Sequence, residues 1–253
     1  MAATRRIPLE ICINSSNLIA VHDSVQAAFI GGAERIELCS HMALQGLTPP
    51  VEHIQAARQV FGRPGLLVMI RPRTGDFAYT KQEIETMCRD IEAAASVGAD
   101  GVVVGAVKGG KLDLPAFERL SAAAQRHELA VTFHRAFDAL EKPVDAVAIL
   151  SEWGIQRILT SGTPWGSDSS AMQGIEQLQK ICVAAAGKVE IVIGGGINHA
   201  NVRSVLDQIG SVSASISIHA YSAVLTDGMT DALKVRALSD EINQFGQLNN
   251  TIL

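Results

Sequence analysis

Leu9-Glu10-Ile11-Cys12 and Ile36-Glu37-Leu38-Cys39 are near-copies of one another. In each, a glutamate and a cysteine share one face of an extended segment while aliphatic residues take the other, because side chains alternate along a strand. Two such strands predict a polar, ionisable cluster inside an otherwise apolar sheet. Apolar, β-branched runs recur at 8–13, 34–39, 66–71, 100–104, 130–134, 156–160, 188–193 and 213–218. Ala-rich amphipathic segments lie between and after them at 23–31, 50–61, 81–97, 115–126, 143–152, 170–186, 199–208 and 229–245. Strand alternating with helix predicts parallel βαβ units. Gly32, Gly98 and Gly154 each stand between a helix and the next strand, where glycine suits a helix C-cap. Eight units at a spacing of about 30 residues predict an α/β fold, a (β/α)8 TIM barrel. An open doubly wound sheet would normally carry a Gly-rich turn after its first strand, and Ile13-Asn14-Ser15-Ser16 is not one. No linker or low-complexity segment divides the chain, so a single domain over 1–253 is expected, with its core at about 8–245.

Composition narrows the function classes. The chain has 253 residues, 47% of them hydrophobic and 19% charged, so a sizeable core can be buried. A net charge of −5 without any basic run argues against nucleic-acid binding. No apolar stretch approaches the ~18 residues of a membrane span. Met1 to Pro8 lacks the apolar core of a signal peptide, so a cytoplasmic location with reduced thiols is expected. Cys12, Cys39, Cys88 and Cys182 form no Cys-x-x-Cys pair, which disfavours a structural zinc site. Cys88 and Cys182 fall in helical segments and read as packing residues. A homo-oligomer is expected, a dimer on the general frequency of two-fold assemblies.

In a barrel one strand parity faces the axis and the other faces the helices. Leu9, Ile11, Ile36, Leu38, Val68, Ile70, Ile216 and Ile218 suit the helix side. Their alternates are Glu10 and Cys12; Glu37 and Cys39; Met69 and Arg71; Thr132 and His134; and Ser215, Ser217 and His219. Most fall toward the C-terminal ends of their strands, where barrel enzymes build their sites. A buried charge without a partner costs several kcal/mol, so Glu10 and Glu37 are expected to pair with Arg71, Arg73 or His134. The same set read structurally is an ion-pair network.

Arg71-Pro72-Arg73 closes the third strand, and Pro72 stops it. Arginine grips carboxylate or phosphate through a planar fork; the alternative is salt bridges to Asp76 or to the two glutamates. Phe133-His134-Arg135-Ala136-Phe137-Asp138 closes the fifth strand. His134 is a candidate acid–base group or ligand, with Asp138 placed to orient it or Arg135. A small-residue loop follows the sixth strand, in which Asp168 or Ser169 is a candidate cap for the next helix. Gly194-Gly195-Gly196 follows the seventh strand, where backbone N–H groups often approach a phosphate; a tight turn explains the glycines equally well. Arg71, Arg73, Arg135, Gly194, Gly195 and Gly196 therefore form a candidate anion site. Cys12 and Cys39 approach each other if the first two strands are neighbours. Two thiolates, with Met69 on the next strand, are soft ligands suited to Cu(I); free cysteine is also an ordinary buried small hydrophobe.

Several stretches occur in an order that resembles the CutC copper homeostasis family. They are Leu9-Glu10-Ile11-Cys12, Gly31-Gly32-Ala33-Glu34-Arg35-Ile36-Glu37-Leu38-Cys39, Val68-Met69-Ile70-Arg71-Pro72-Arg73 with Gly75-Asp76-Phe77, and Gly98-Ala99-Asp100-Gly101. Thr132-Phe133-His134-Arg135-Ala136-Phe137-Asp138, Leu159-Thr160-Ser161-Gly162 and Gly194-Gly195-Gly196-Ile197 complete the series. The resemblance spans roughly residues 8 to 245 and departs from the family pattern at Ala220-Tyr221-Ser222-Ala223 and at Pro164-Trp165-Gly166. It implies a cytoplasmic single-domain (β/α)8 barrel with a role in copper handling, and it ascribes Cu(I) binding to Cys12 and Cys39. The competing expectation is an enzyme acting on a small anionic or phosphorylated compound. There Arg71, Arg73 and the glycine turn hold the anion, and Glu10, Glu37, His134 or Asp138 does the acid–base work. The thiols favour the first, the arginines the second.

Overall fold

The structure, a computed structural model, describes residues 6–209 and 214–248. Eight parallel strands close into a barrel: β1 (Leu9–Asn14), β2 (Arg35–Cys39), β3 (Leu66–Met69), β4 (Gly101–Val104), β5 (Ala130–Phe133), β6 (Arg157–Thr160), β7 (Glu190–Ile193) and β8 (Ile216–Ala220). Each strand pairs with its neighbours in sequence, and β8 closes on β1. The helices are α1 (Leu18–Gly31), α2 (Val51–Val60), α3 (Lys81–Ser96), α4 (Leu114–Gln125), α5 (Pro143–Glu152), α6 (Ile175–Ala185), α7 (Val202–Ile209) and α8 (Ala232–Leu248). The (β/α)8 expectation holds.

Capping chemistry sets several helix starts. Asn17 accepts the N–H of Ala20, which starts α1 five residues before the predicted 23. Thr80 and Glu83 form a reciprocal capping box on α3, and Asp113 caps α4. Neither Asp168 nor Ser169 caps α6, whose N-cap is Gly174. Gly32 ends α1 at φ 99°, a conformation in which a side chain would be strained. β8 lies later than the predicted 213–218, running to Ala220; residue 213 is outside the described residues. Two short hairpins, Val107–Lys108 with Lys111–Leu112 and Leu225–Thr226 with Met229–Thr230, were not anticipated.

The alternation of side chains divides the interior in two. Leu9, Ile11, Ile36, Leu38, Val68, Val102, Ile158, Ile191 and Ile218 belong to one continuous apolar layer between strands and helices. Inside the barrel the apolar cluster is small and sulfur-rich: Cys12, Cys39, Leu67, Met69 and Val103, with Met42 and Tyr221 packed against it. No described helix is long and apolar enough to cross a membrane.

Candidate functional site

Ion pairs fill the lower part of the barrel. In the parallel register Glu10 stands beside Arg35 of β2 and His219 of β8. The Arg35 guanidinium donates to Glu10 at 3.0 Å, to Glu190 at 2.6 Å and to Ser217 at 2.7 Å. Arg157 donates to Thr132 at 2.9 Å, leaving its Nη2 buried without a partner. His219 Nδ1 meets Glu10 at 2.9 Å, and its Nε2 lies 3.6 Å from Glu37. The glutamates therefore do not pair with Arg71, Arg73 or His134 as expected. Arg35, on the inward parity of β2, and His219, on the adjoining strand, are at hand, whereas the three expected partners sit at or beyond the ends of β3 and β5.

Protonation follows from this arrangement. Burial opposes the charge on Glu10, but the His219 hydrogen bond and the charge on Arg35 hold its carboxyl at about 2. Burial, with the negative charge of Glu10, pushes Glu37 up. Burial works against the charge on His219, yet Glu37, the Cys12 contact and Glu10 raise it well above the ordinary histidine value. The hydrogen bond to Cys39, burial and Glu37 raise Cys12 well above a free thiol. Cys39 is relieved by its bond to Cys12 but reaches about 11 through burial and the charge on Glu37. These shifts favour protonated thiols and a charged His219 imidazolium.

Above this layer opens a cavity of about 290 Å³ at the C-terminal ends of the strands. Its floor carries the sulfurs: Cys12 Sγ lies 3.8 Å from Cys39 Sγ and 3.7 Å from Met42 Sδ. The Cys12 thiol, a Glu37 oxygen and a His219 ring nitrogen all lie within 4.8 Å of one another. Glu37 Oε1 is buried there without a hydrogen bond. Met69 also lines the cavity. Met42, in the short 3-10 turn Met42–Leu44, makes the sulfur contact with Cys12.

Arg71, Phe77, His134, Arg135, Trp165, Gly195 and Gly196 line the same cavity. Arg71 is 1% exposed. Its Nη1 donates to the carbonyls of Leu44, Gln45 and Gly46, and its Nη2 to that of Gly75. His134 Nδ1 accepts the backbone N–H of Ala136 at 3.0 Å, so the neutral ring carries its proton on Nε2, which is buried and unpartnered. Burial and the nearby charge of Arg71 lower its pKa to about 3.

Other sequence-derived candidates fall elsewhere. Arg73 turns outward to Glu83 at 2.5 Å and Asp76 at 3.0 Å, so it does not join Arg71. Glu10 is absent from the cavity wall, being engaged below by Arg35 and His219. Asp138 is tied to Arg135 at 2.8 Å and to Thr160 and Ser161; it orients the arginine rather than His134. Gly194 sits beneath the turn, close to Leu159 and His219, and only Gly195 and Gly196 face the cavity. Sequence reasoning assigned no role to Arg35, Met42 or His219. The parity reading named His219 but not Arg35, although Arg35 shares the face of Glu37, and nothing in the sequence marked Met42.

Fold and site together define a (β/α)8 barrel whose mouth combines soft sulfur donors, a histidine between two glutamates, and arginines. Residues 7–220 match the family model described as CutC family. A CutC family protein from Bacteroides thetaiotaomicron is 39% identical over 207 residues, covering 81% of this chain and 78% of that protein. The human copper homeostasis protein cutC homolog is 36% identical, covering 91% of this chain and 87% of that protein. The crystal structure of a CutC chain from Streptococcus agalactiae superimposes with a TM-score of 0.72 at 27% identity, over 84% of this chain and 98% of that one. The chain belongs to the CutC family.

Proposed function

We propose that this protein serves copper homeostasis by binding Cu(I) through the Cys12 and Cys39 thiols, with the Met42 thioether as third donor. The observation that carries this reading is the sulfur geometry, 3.8 Å between the thiols and 3.7 Å from Cys12 to Met42. Metal–thiolate bonds of about 2.3 Å place two sulfurs around one ion roughly 4 Å apart, so little movement is needed. Two thiolates and a thioether are the soft donor set that selects Cu(I). Binding expels the thiol protons, which the pKa values of both cysteines make costly at neutral pH, so affinity should rise with pH. The test is competition with a Cu(I) chelator. Cys12→Ser and Cys39→Ser should each lower affinity by at least tenfold; wild-type affinity in the double variant would reject the site.

A second reading, an enzyme acting on a small anionic compound, is favoured by Glu37 and His219. A carboxylate oxygen without a partner and an imidazolium at the C-terminal mouth of a barrel form a proton-transfer pair. Its test is turnover of a panel of small phosphorylated and carboxylated compounds. Glu37→Gln should abolish any activity found, and a Glu37→Gln variant as active as wild type would exclude the role.

A further inference from the structure

We propose that the wall around Arg71 is an oxyanion subsite, taking the carboxylate or phosphate group of a small organic ligand. Arg71 is a buried cation whose hydrogen bonds all go to neutral carbonyls. Among the described residues no carboxylate forms an ion pair with it. The acidic groups acting on it are the Tyr79 phenol, which burial pushes up to about 12, and the Cys39 thiol, at about 11, so both stay neutral. Among the described residues its Nε has no hydrogen-bond partner. A buried guanidinium without a counter-ion is costly, and no ion pair among the described residues supplies the missing charge.

A second donor stands beside it. His134 presents an unpartnered Nε2–H in the same cavity. Because the ring stays neutral down to about pH 3, it donates to an anion without titrating at physiological pH. The two groups are held by one aromatic pair. Phe77 lies 5.1 Å from the His134 ring and 4.9 Å from the Trp165 ring. The Arg71 guanidinium carbon sits 5.2 Å over Phe77, and that of Arg135 sits 5.5 Å over Trp165. Arg135 is partly neutralised by Asp138, so it adds directional N–H groups more than net charge. Its Nη2 reaches Ser161 at 2.8 Å, and Ser161 packs against Gly195, which places the glycine turn on the same side. Aromatic planes that hold the arginines in place leave them pre-organised for a planar or tetrahedral oxyanion.

This inference deepens the enzyme reading by assigning the charge its ligand carries and where that charge sits. Binding is measured without copper and without turnover, so failure of either earlier reading leaves this one separately testable. Calorimetric titration of the full chain at pH 7 would use inorganic phosphate in one arm and lactate in the other. Saturable binding below about 5 mM in either arm is expected, and the arm that saturates identifies the group. Arg71→Gln should lower that affinity at least tenfold. If Arg71→Gln fails to fold, because it loses its hold on the carbonyls of residues 44–46, His134→Phe supplies the second variant. It keeps a ring against Phe77 while deleting the Nε2–H, and should weaken binding at least threefold. Arg73→Gln, turned away from the cavity, should bind as wild type does. No saturation in either arm, or wild-type affinity in the Arg71→Gln and His134→Phe variants, would overturn the proposal.

Discussion

Arg35 donates to Glu10 at 3.0 Å inside the barrel, where the Glu10 side chain is 1% exposed. Arg35→Met would leave Glu10 with His219 and the weaker influence of the Arg157 charge for compensation. Breaking a buried pair from one side typically costs about 3–5 kcal/mol, and a loss of that order is expected in urea unfolding. Adding Glu10→Gln should recover part of it, because the stranded charge is then gone. A single-variant loss under about 1 kcal/mol would mean that water reaches the pair and screens it.

Met42 and Met69 both face the cavity floor, but Met42 makes the sulfur contact with Cys12. Under the copper reading, Met42→Leu should weaken Cu(I) binding by about tenfold, near 1.4 kcal/mol. Met69→Leu, a volume-conserving swap, should change it by less than about threefold. Chelator competition on the two variants decides between them; the reverse order would move the third donor to β3.

His134 gives a pH dependence of defined sign. Its folded pKa of about 3 lies below the ordinary 6.5, so between those values the unfolded chain holds a proton that the folded chain does not. Stability therefore rises with pH through that window. Glu10, at about 2 against 4.5, adds a slope of the same sign at lower pH. Unfolding free energies at roughly pH 5 and 6.5 should show a flatter slope in His134→Phe than in wild type. Equal slopes would mean that His134 is protonated in the folded protein, and nitrogen NMR of the ring would then show both nitrogens carrying hydrogen.

The fold was legible because the period-two and amphipathic patterns repeat eight times, and the inward parity of Glu10, Cys12, Glu37 and Cys39 follows from the same alternation. The ion pairing was misread for a physical reason. Arginines were sought at strand ends, where Arg71 and Arg73 stand out beside a proline, while Arg35 opens β2 on the same face as Glu37. Depth in the barrel depends on the stagger between strands, which sets Glu10 beside Arg35 and Cys12 beside Glu37. That stagger has no signature in a single strand. Met42 was hidden for another reason: His41 and Gln45 adopt positive φ of 51° and 66° around the short turn that carries it, and no local pattern announces such a loop. Arg73 was misplaced because Glu83, ten residues on in the capping box of α3, reaches back to it.

Gly105 supplies a test of how His134 is held. A Cβ there would lie 2.6 Å from both Cε1 and Nδ1 of His134 and 2.9 Å from the Ala136 Cβ. The ring is confined on another side by Phe77, at 5.1 Å between centroids. It cannot shift without losing the Ala136 N–H that sets its tautomer. Gly105→Ala should therefore destabilise the protein by about 1–3 kcal/mol, the usual cost of forcing extra volume into a packed site. It should also weaken anion binding, since displacement of the ring removes the Nε2–H from the cavity. Gly62→Ala, where nothing lies within 4 Å of the added atom, is the comparison that leaves both quantities unchanged. Thermal unfolding and phosphate or lactate titration on the same two preparations separate the outcomes. Lost stability with unchanged affinity would assign His134 to packing alone, whereas loss of both ties the neutral imidazole to the ligand.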